Sequence, residues 1–295
     1  MKNLLEQLSL KTASGRSKFI IDHIESHSIP YIIEKKPFNM YQSISEEDIS
    51  EAALIDYTDE QIEQMTENEI QSITNLYKDF SKDSEEIKNI IIDLSQYCNA
   101  GKSTAIIFTA HYDVVFGSSG ANDNASSIAI LLELADHIIQ FGSNHPVKII
   151  FFDKEENGGL GSSYHLENTQ YNSDSTFINL DVCGCGDFIA FCDMSNTDNN
   201  IASSFYKTEI QDKYNLESVL RFPFSDADII SEAGYDVISI SVFPESDLEK
   251  LRHPENLMFH ALDVLDFMHN GKYDDIKYIN PDIMNKILYF LIDTV

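Results

Sequence analysis

Short apolar runs of strand length recur along this chain, each followed by a segment with helical apolar spacing. That alternation limits the fold more than any other feature. Ile90-Ile91-Ile92, Ala105-Ile106-Ile107-Phe108, Val147 to Phe152, Phe177-Ile178-Asn179-Leu180-Asp181 and Val237 to Val242 read as buried strands. Ala125 to Ile139 is a helix with Ile128, Leu131, Leu132, Ala135 and Ile139 on one face. A polar helix is expected near Ser203 to Lys213 and a closing one from Ile283 to Ile292. Upstream, Phe19, Ile20 and Ile24 keep helical spacing before a strand at Ile29-Pro30-Tyr31-Ile32-Ile33. The reading is an α/β fold: a mixed, mostly parallel central sheet flanked by helices on both faces. The 295 residues are 43% hydrophobic, enough for such a core, and no internal repeat is visible. Ligands of these folds gather beyond the carboxyl ends of the strands, so the chemistry is expected just after each apolar run.

Between the first strand and the rest the character changes. Residues 46 to 87 hold fourteen Asp or Glu and two Lys. Thr58 can cap a helix with Gln61 completing the box, and Ile62, Met65, Ile70, Ile73, Tyr77 and Phe80 give it an apolar stripe. Residues 43–87 are read as an acidic helical insert in a single domain spanning 1–295; its charged face is solvated or serves as a lid or partner surface. Acidic residues outnumber basic ones 49 to 20, for a formal charge of -29, which argues against nucleic acid or an anionic membrane as partner. Glu6 and Gln7 break the N-terminal apolar residues, and no stretch is long enough to span a bilayer, so the expected location is the cytoplasm. Four cysteines, Cys98, Cys183, Cys185 and Cys192, are too few for a disulfide scaffold. Cys183-Gly184-Cys185 lacks a second Cys/His pair at a zinc-ribbon spacing and reads as buried free thiols.

The polar residues that follow the strands carry the chemistry. His111-Tyr112-Asp113 comes after Phe108, and Gly120-Ala121-Asn122-Asp123-Asn124-Ala125 leads into the next helix. Glu155-Glu156-Asn157-Gly158-Gly159-Leu160-Gly161-Ser162 follows Phe152; Asp181 ends a strand; His253-Pro254-Glu255-Asn256 comes later. Carboxylate and imidazole together suit zinc, with cobalt or manganese as substitutes. Each piece alone is a weak signal; the ordered set is specific.

In that order the chain resembles the co-catalytic two-zinc aminopeptidases, metallopeptidase family twenty-eight, over about residues 100 to 260. The resemblance rests on H-x-D, G-A-x-D-N-x-S, the Glu pair before L-G-S (here with one extra glycine), N-L-D at Asn179-Leu180-Asp181, and a distal His. It implies a zinc-dependent exopeptidase fold, two Zn2+ per chain and a peptide substrate with a free N-terminus. It implies that His111 and Asp181 bind one ion, Glu156 and His253 the other, and that Asp123 bridges them. Glu155 would be the general base and Asp113 would orient His111. Ser225-Asp226 followed by Glu232-Ala233-Gly234-Tyr235 resembles a further family segment, in which the position of Tyr235 helps stabilise the oxyanion in some members.

Departures fall in the substrate-facing half: Ala227 where the family often has His, Asp236 for proline, and Arg252 before a compressed block at His253. Arg221 and Arg252, two of three arginines in the chain, are candidates for a substrate carboxylate or for surface ion pairs. Three alternatives stay open. A glutaminyl cyclase shares the scaffold with one zinc, but those of that group carry a long insertion after the Glu pair and a Trp, and this chain has no Trp. A dipeptidase or carboxypeptidase would use the arginines. A non-catalytic peptide-binding protein would not need the intact ligand set.

Overall fold

The computed structural model describes residues 1–9, 12–38, 50, 53–54, 59–82, 86–99, 104–195, 200–253 and 262–295. Its strands are β1 (Tyr31–Pro37), β2 (Glu86–Asp93), β3 (Ile106–His111), β4 (Val147–Phe152), β5 (Thr176–Leu180), β6 (Phe188–Asp193), β7 (Leu216–Ser218) and β8 (Asp236–Phe243). They form one sheet in the order β1-β2-β4-β3-β5-β8-β6-β7. The centre, β4-β3-β5-β8, is parallel; β1·β2, β2·β4 and β6·β8 are antiparallel. Successive strand residues face opposite sides, so each run feeds two cores. Ile106, Phe108, Ile149 and Phe151 face one, Ile107, Ile150 and Phe152 the other.

The first face is covered by α1 (Lys2–Leu8), α2 (Ala13–Ser26), α5 (Ser126–Phe141) and α11 (Pro281–Thr294). Sequence spacing gives α5 one apolar face, yet Ile128 to Leu132, Leu134, Ala135 and Ile138 are all buried, because α1 and α11 close over its outer side. Burying one such aliphatic side chain contributes about 1.5–3 kcal/mol. The opposite face carries α6 (Leu160–Asn168) and α9 (Asp226–Glu232), with Ala227 and Ile230 in the core. The polar helix expected at 203–213 is two, α7 (Asn200–Phe205) and α8 (Thr208–Tyr214), and α10 (Leu248–Arg252) follows β8.

In the insert, α3 (Asp59–Gln64) and α4 (Glu67–Lys82) replace the single expected helix. The break is set by a capping box about two turns later than expected: Thr66 Oγ1 accepts from Glu69 N at 3.3 Å while Glu69 accepts from Thr66 N at 2.8 Å. Thr58, the cap expected from sequence, lies outside the described residues. Ile62, Met65, Ile70, Ile73 and Tyr77 are half-buried while Glu67 and Glu69 are exposed, so the stripe faces protein and the charges face water. Pro37 pairs with Glu86 at the end of the β1–β2 hairpin, and β2 runs antiparallel to β4. The insert therefore leaves the sheet at the edge where β4 ends. Among the described residues no helix is long and apolar enough to cross a membrane.

Candidate metal centre

Parallel register gathers the site. Thr109 pairs with Asn179, so two residues further His111 lies beside Asp181, its Nε2 3.3 Å from Asp181 Oδ1. His111 also pairs with Phe152, and the chain beyond Phe152 supplies Glu155 and Glu156. Asp123 sits in the tight turn before α5. Its Oδ1 is 3.1 Å from His111 Nε2, and its Oδ2 is 3.6 Å from the Nε2 of His269. His269 in turn lies 3.2 Å from Glu156 Oε2. One aspartate thus stands between two imidazole–carboxylate pairs, His111 with Asp181 and His269 with Glu156.

Each donor is held by its neighbours. Asp113 Oδ1 faces His111 Nδ1 at 3.3 Å, and its two oxygens accept the N–H groups of Glu155 and Glu156, both at 3.1 Å. One carboxylate therefore orients the imidazole and the Glu pair together. Asn124 brackets Asp181: its Nδ2 donates to Leu180 O at 3.1 Å and its Oδ1 accepts from Val182 N at 3.3 Å. Asp274 accepts from Asn122 N at 2.7 Å and Asp123 N at 3.4 Å. Asp123 Oδ2 accepts from His269 N at 3.0 Å. Arg16, fully buried, donates to the carbonyls of Leu8, Tyr112, Asp113, Ser119 and Gly120. It thereby ties the loop after His111 to the loop before Asp123.

The backbone is strained here. Lys154, Val182 and His269, next to or within the cluster, have φ of 59, 54 and 52; left-handed backbone is uncommon for any non-glycine and costly for a β-branched valine. Gly161 admits no side chain: a Cβ there would lie 2.1 Å from Asp153 O. That close approach seats α6 behind the Glu pair. Gly184 is similarly confined between Ile279 and Ser126, while Asn122 Oδ1 accepts its N–H at 2.7 Å and that of Cys185 at 3.0 Å. Cys183 and Cys185 are buried free thiols, pushed up to about 12 by burial, and they serve packing.

Taken by themselves, the protein groups share protons. Burial, reinforced by Asp123, pushes Glu156 up to about 7. Burial, with Asp181, Asp226 and Glu156 nearby, lifts Glu155 well above the usual carboxylate range. His269 is raised to about 9, first by its hydrogen bond with Glu156. Burial would lower His111, but Asp181, Asp113 and Asp123 outweigh it and raise it well. Among the described residues, Glu156 Oε1, Asp181 Oδ1 and both oxygens of Asp226 are buried without a hydrogen-bond partner. Buried carboxylates this close need positive charge, and two imidazoles do not match them. The donor set fits divalent cations of the zinc type.

Sequence reasoning placed His111, Asp113, Asp123, Glu155, Glu156 and Asp181, and the fold brings these six together. His253 is not among them. It caps the short α10, its side chain is 61% exposed, and Glu249 is 3.9 Å away; His269 occupies the place expected for it. The compressed block at His253 misled the assignment. A signal for His269 was present: an imidazole before Asn270-Gly271, with Asp274 five residues on. Tyr235 is also displaced. It precedes β8, whose Asp236 pairs with Thr176 at the start of β5, so it lies at the opposite end of the strands from Asp181, six residues or about 20 Å along. Its hydroxyl accepts from Tyr171 N at 3.2 Å, and its ring packs on Tyr171 and Phe177. Arg252 is spent on Glu217 and Glu249 at 2.6 and 3.1 Å. Arg221 is exposed after β7, where its charge favours the ionised form of Asp228. Arg16 and Asp274 are supporting residues that sequence reasoning passed over; Asn124 and Asp226 stand in motifs it quoted, without a role of their own.

Fold and cluster together define an α/β protein with divalent-cation donors gathered at the carboxyl edge of a mostly parallel sheet. A family model described as Peptidase family M28 matches residues 89–295, and the chain belongs to that family. Aminopeptidase YwaD of Bacillus subtilis (strain 168) is 36% identical over 97 residues, 32% of this chain and 21% of that protein. A vacuolar membrane protease of Yarrowia lipolytica is 30% identical over 211 residues, 70% of this chain and 20% of that protein. The chain thus spans about a fifth of the length of these curated relatives. Among solved structures, BSAP, a zinc aminopeptidase from Bacillus subtilis, has a TM-score of 0.65 at 15% identity, covering 99% of this chain and 92% of that one. A glutaminyl cyclase of Porphyromonas gingivalis has a TM-score of 0.60 at 14% identity, covering 99% and 94%. These likenesses concern the fold.

Proposed function

We propose that the chain is an aminopeptidase that binds two divalent cations, zinc by donor chemistry, and releases the N-terminal residue of peptides. The observation that carries the reading is Asp123, with one oxygen toward His111 and the other toward His269. His111 and Asp181 would hold one ion, His269 and Glu156 the second, with Asp123 between. When bound, such ions lower the pKa of a water and polarise the scissile carbonyl. Glu155, half-buried next to Glu156, accepts the proton of the attacking water and delivers it to the leaving amine. Asp113 keeps His111 and the Glu155 amide in register for that transfer. Beside Asp181 opens a shallow cleft whose walls are mainly apolar, Val182, Phe222, Pro223, Phe224, Phe243, Val264 and Met268, with Ser225, Ser239 and Ser241 between them. Its chemistry suits an apolar side chain at the cleaved residue. The buried thiols Cys183, Cys185 and Cys192 accord with a reducing, cytoplasmic setting as part of this reading.

The test is metal content by elemental analysis together with hydrolysis of aminoacyl chromogenic substrates before and after chelation. Two zincs per chain and chelator-sensitive release of apolar, unblocked residues are expected. The Glu155→Gln variant should keep its metal and lose at least about 100-fold in kcat. One zinc, no hydrolysis and cyclisation of N-terminal glutamine would replace this reading with a cyclase.

A further inference from the structure

A second group of ligand-bearing side chains closes on itself away from the centre: His23 and His27 of α2 with Asp136 of α5. The i, i+4 spacing puts both imidazoles on one helix face, with ring centroids 4.5 Å apart. His23 Nε2 lies 3.2 Å from Asp136 Oδ2, and His27 Nε2 lies 3.8 Å from Oδ1. The scaffold under them is fixed, since Ile20 and Ile24 of α2 and Leu132 and Ala135 of α5 are fully buried.

Hydrogen bonds around His27 set its tautomer. The Ser26 hydroxyl donates to His23 O at 2.7 Å. His27 Nδ1 is 2.9 Å from that same carbonyl and 3.0 Å from Ser26 Oγ. A carbonyl only accepts, and the serine proton is already committed, so Nδ1 carries the ring proton. Nε2 of the neutral ring is then a lone pair aimed at a carboxylate. Two acceptors facing each other are joined by a proton or by a metal ion; three such atoms from three residues suit the ion, and among the described residues Asp136 pairs only with these imidazoles.

We propose that His23, His27 and Asp136 form a separate surface site for one divalent ion of the zinc class. Two imidazole nitrogens and one carboxylate oxygen leave a fourth, tetrahedral position to water. With zinc–nitrogen bonds of about 2.0–2.1 Å, the edges of that tetrahedron are about 3.3 Å, close to the pairing distances here. His27, with 44% of its side chain exposed, opens the site to solvent, and His23, with 11%, anchors it. The ion would clamp α2, which carries Arg16, to α5, which follows Asp123. The site does not depend on what the main centre does.

Equilibrium dialysis of the full chain against micromolar zinc, followed by elemental analysis, compares the wild type with His27→Gln and Asp136→Asn. Each variant should hold one zinc fewer per chain than the wild type and show a smaller zinc-induced rise in Tm. Because the comparison is a difference, it holds whatever number of ions the main centre takes. Equal counts in the three proteins would overturn the proposal. So would an extra zinc seen only at millimolar concentration, which marks an adventitious ion. Two variants on two helices keep the result readable if one of them folds poorly.

Discussion

Asp123 meets two imidazoles with two oxygens, so whatever fixes its backbone fixes the chemistry. Asp274 and Arg16 do this from opposite directions, one accepting the N–H groups of the turn, the other donating to the carbonyls before it. Burial pulls Arg16 down, while the charges of Asp123, Asp274, Asp113 and Glu156 oppose that shift. An Arg16→Met variant loses a buried cation and leaves carbonyls without donors. Metal binding about 10–100-fold weaker than wild type is expected, as for residues that position ligands. Arg16→Lys should rescue little, because one ammonium cannot span the five carbonyls. Chelator competition reads the first effect without recourse to activity. The exchange of His253 for His269 makes a second, sharper test. His269→Ala should lose one ion per chain and most of the turnover, whereas His253→Ala should match the wild type in metal content and kcat/KM. The opposite pattern would restore the assignment made from sequence.

Helices and strands with strong periodicity stand close to where the sequence puts them: β3, β4, β5, β8, α5 and α11 coincide with the expected runs within a few residues. Two strands, β6 and β7, were not expected. The run Phe188 to Cys192 of β6 is apolar and buried, a strand signal that was there to be read, whereas β7 is only three residues long, and pairing with β6 rather than propensity makes it a strand. The edge strand β1 is fastened across β2 by Glu34, which accepts from Asn89 Nδ2 at 3.3 Å and meets His165 Nδ1 of α6 at 2.7 Å. Burial would raise Glu34, but the hydrogen bond with His165 outweighs it and holds the carboxyl below its ordinary value. Its ionised form is therefore favoured by folding. The stability this contributes is present above the unfolded pKa, about 4.5, and is lost as pH falls through the folded one. Thermal midpoints of the wild type should fall more steeply from about pH 5 to about pH 3 than those of Glu34→Gln. Parallel curves would show that Glu34 does not carry the link.

At the scale of the whole molecule the acidic insert leaves the sheet at the catalytic edge, because β2 runs antiparallel to β4 and begins where β4 ends. Tyr77 of α4 meets Phe116 edge-on, with centroids 5.0 Å apart. Phe116 lies in the loop between His111 and Asp123, and its carbonyl accepts from Asn270, the residue after His269, at 3.0 Å. We propose that α4 forms part of the rim of the site and limits the length of peptide that enters. Replacing residues 38–85 by a two-residue Asn-Gly turn on the β1–β2 hairpin should raise kcat/KM for a decapeptide about tenfold or more relative to an aminoacyl anilide, about 1.4 kcal/mol of transition-state binding. Tyr77→Ala should shift the ratio the same way by a smaller factor. An unchanged ratio in both variants would make the insert a solvated appendage.

The sequence by itself determined the strand–helix alternation, the edge of the sheet where chemistry gathers, and every donor that lies within a few residues of a strand end or helix start. Those features are local: apolar period, turn residues and the polar run after a strand are read from neighbours in the chain. Only the tertiary structure decided which distant histidine completes the cluster, which arginine is buried beneath it, and that Tyr235 belongs to the far edge. His253 and His269 both lie in loops without periodicity, and which one reaches Glu156 depends on how the chain after β8 folds back across the sheet. Arg16 is 96 or more residues from the carbonyls it joins between Tyr112 and Gly120. Contacts closed over such separations leave no pattern in the sequence around either partner, since their energy exists only when the sheet has brought the two together.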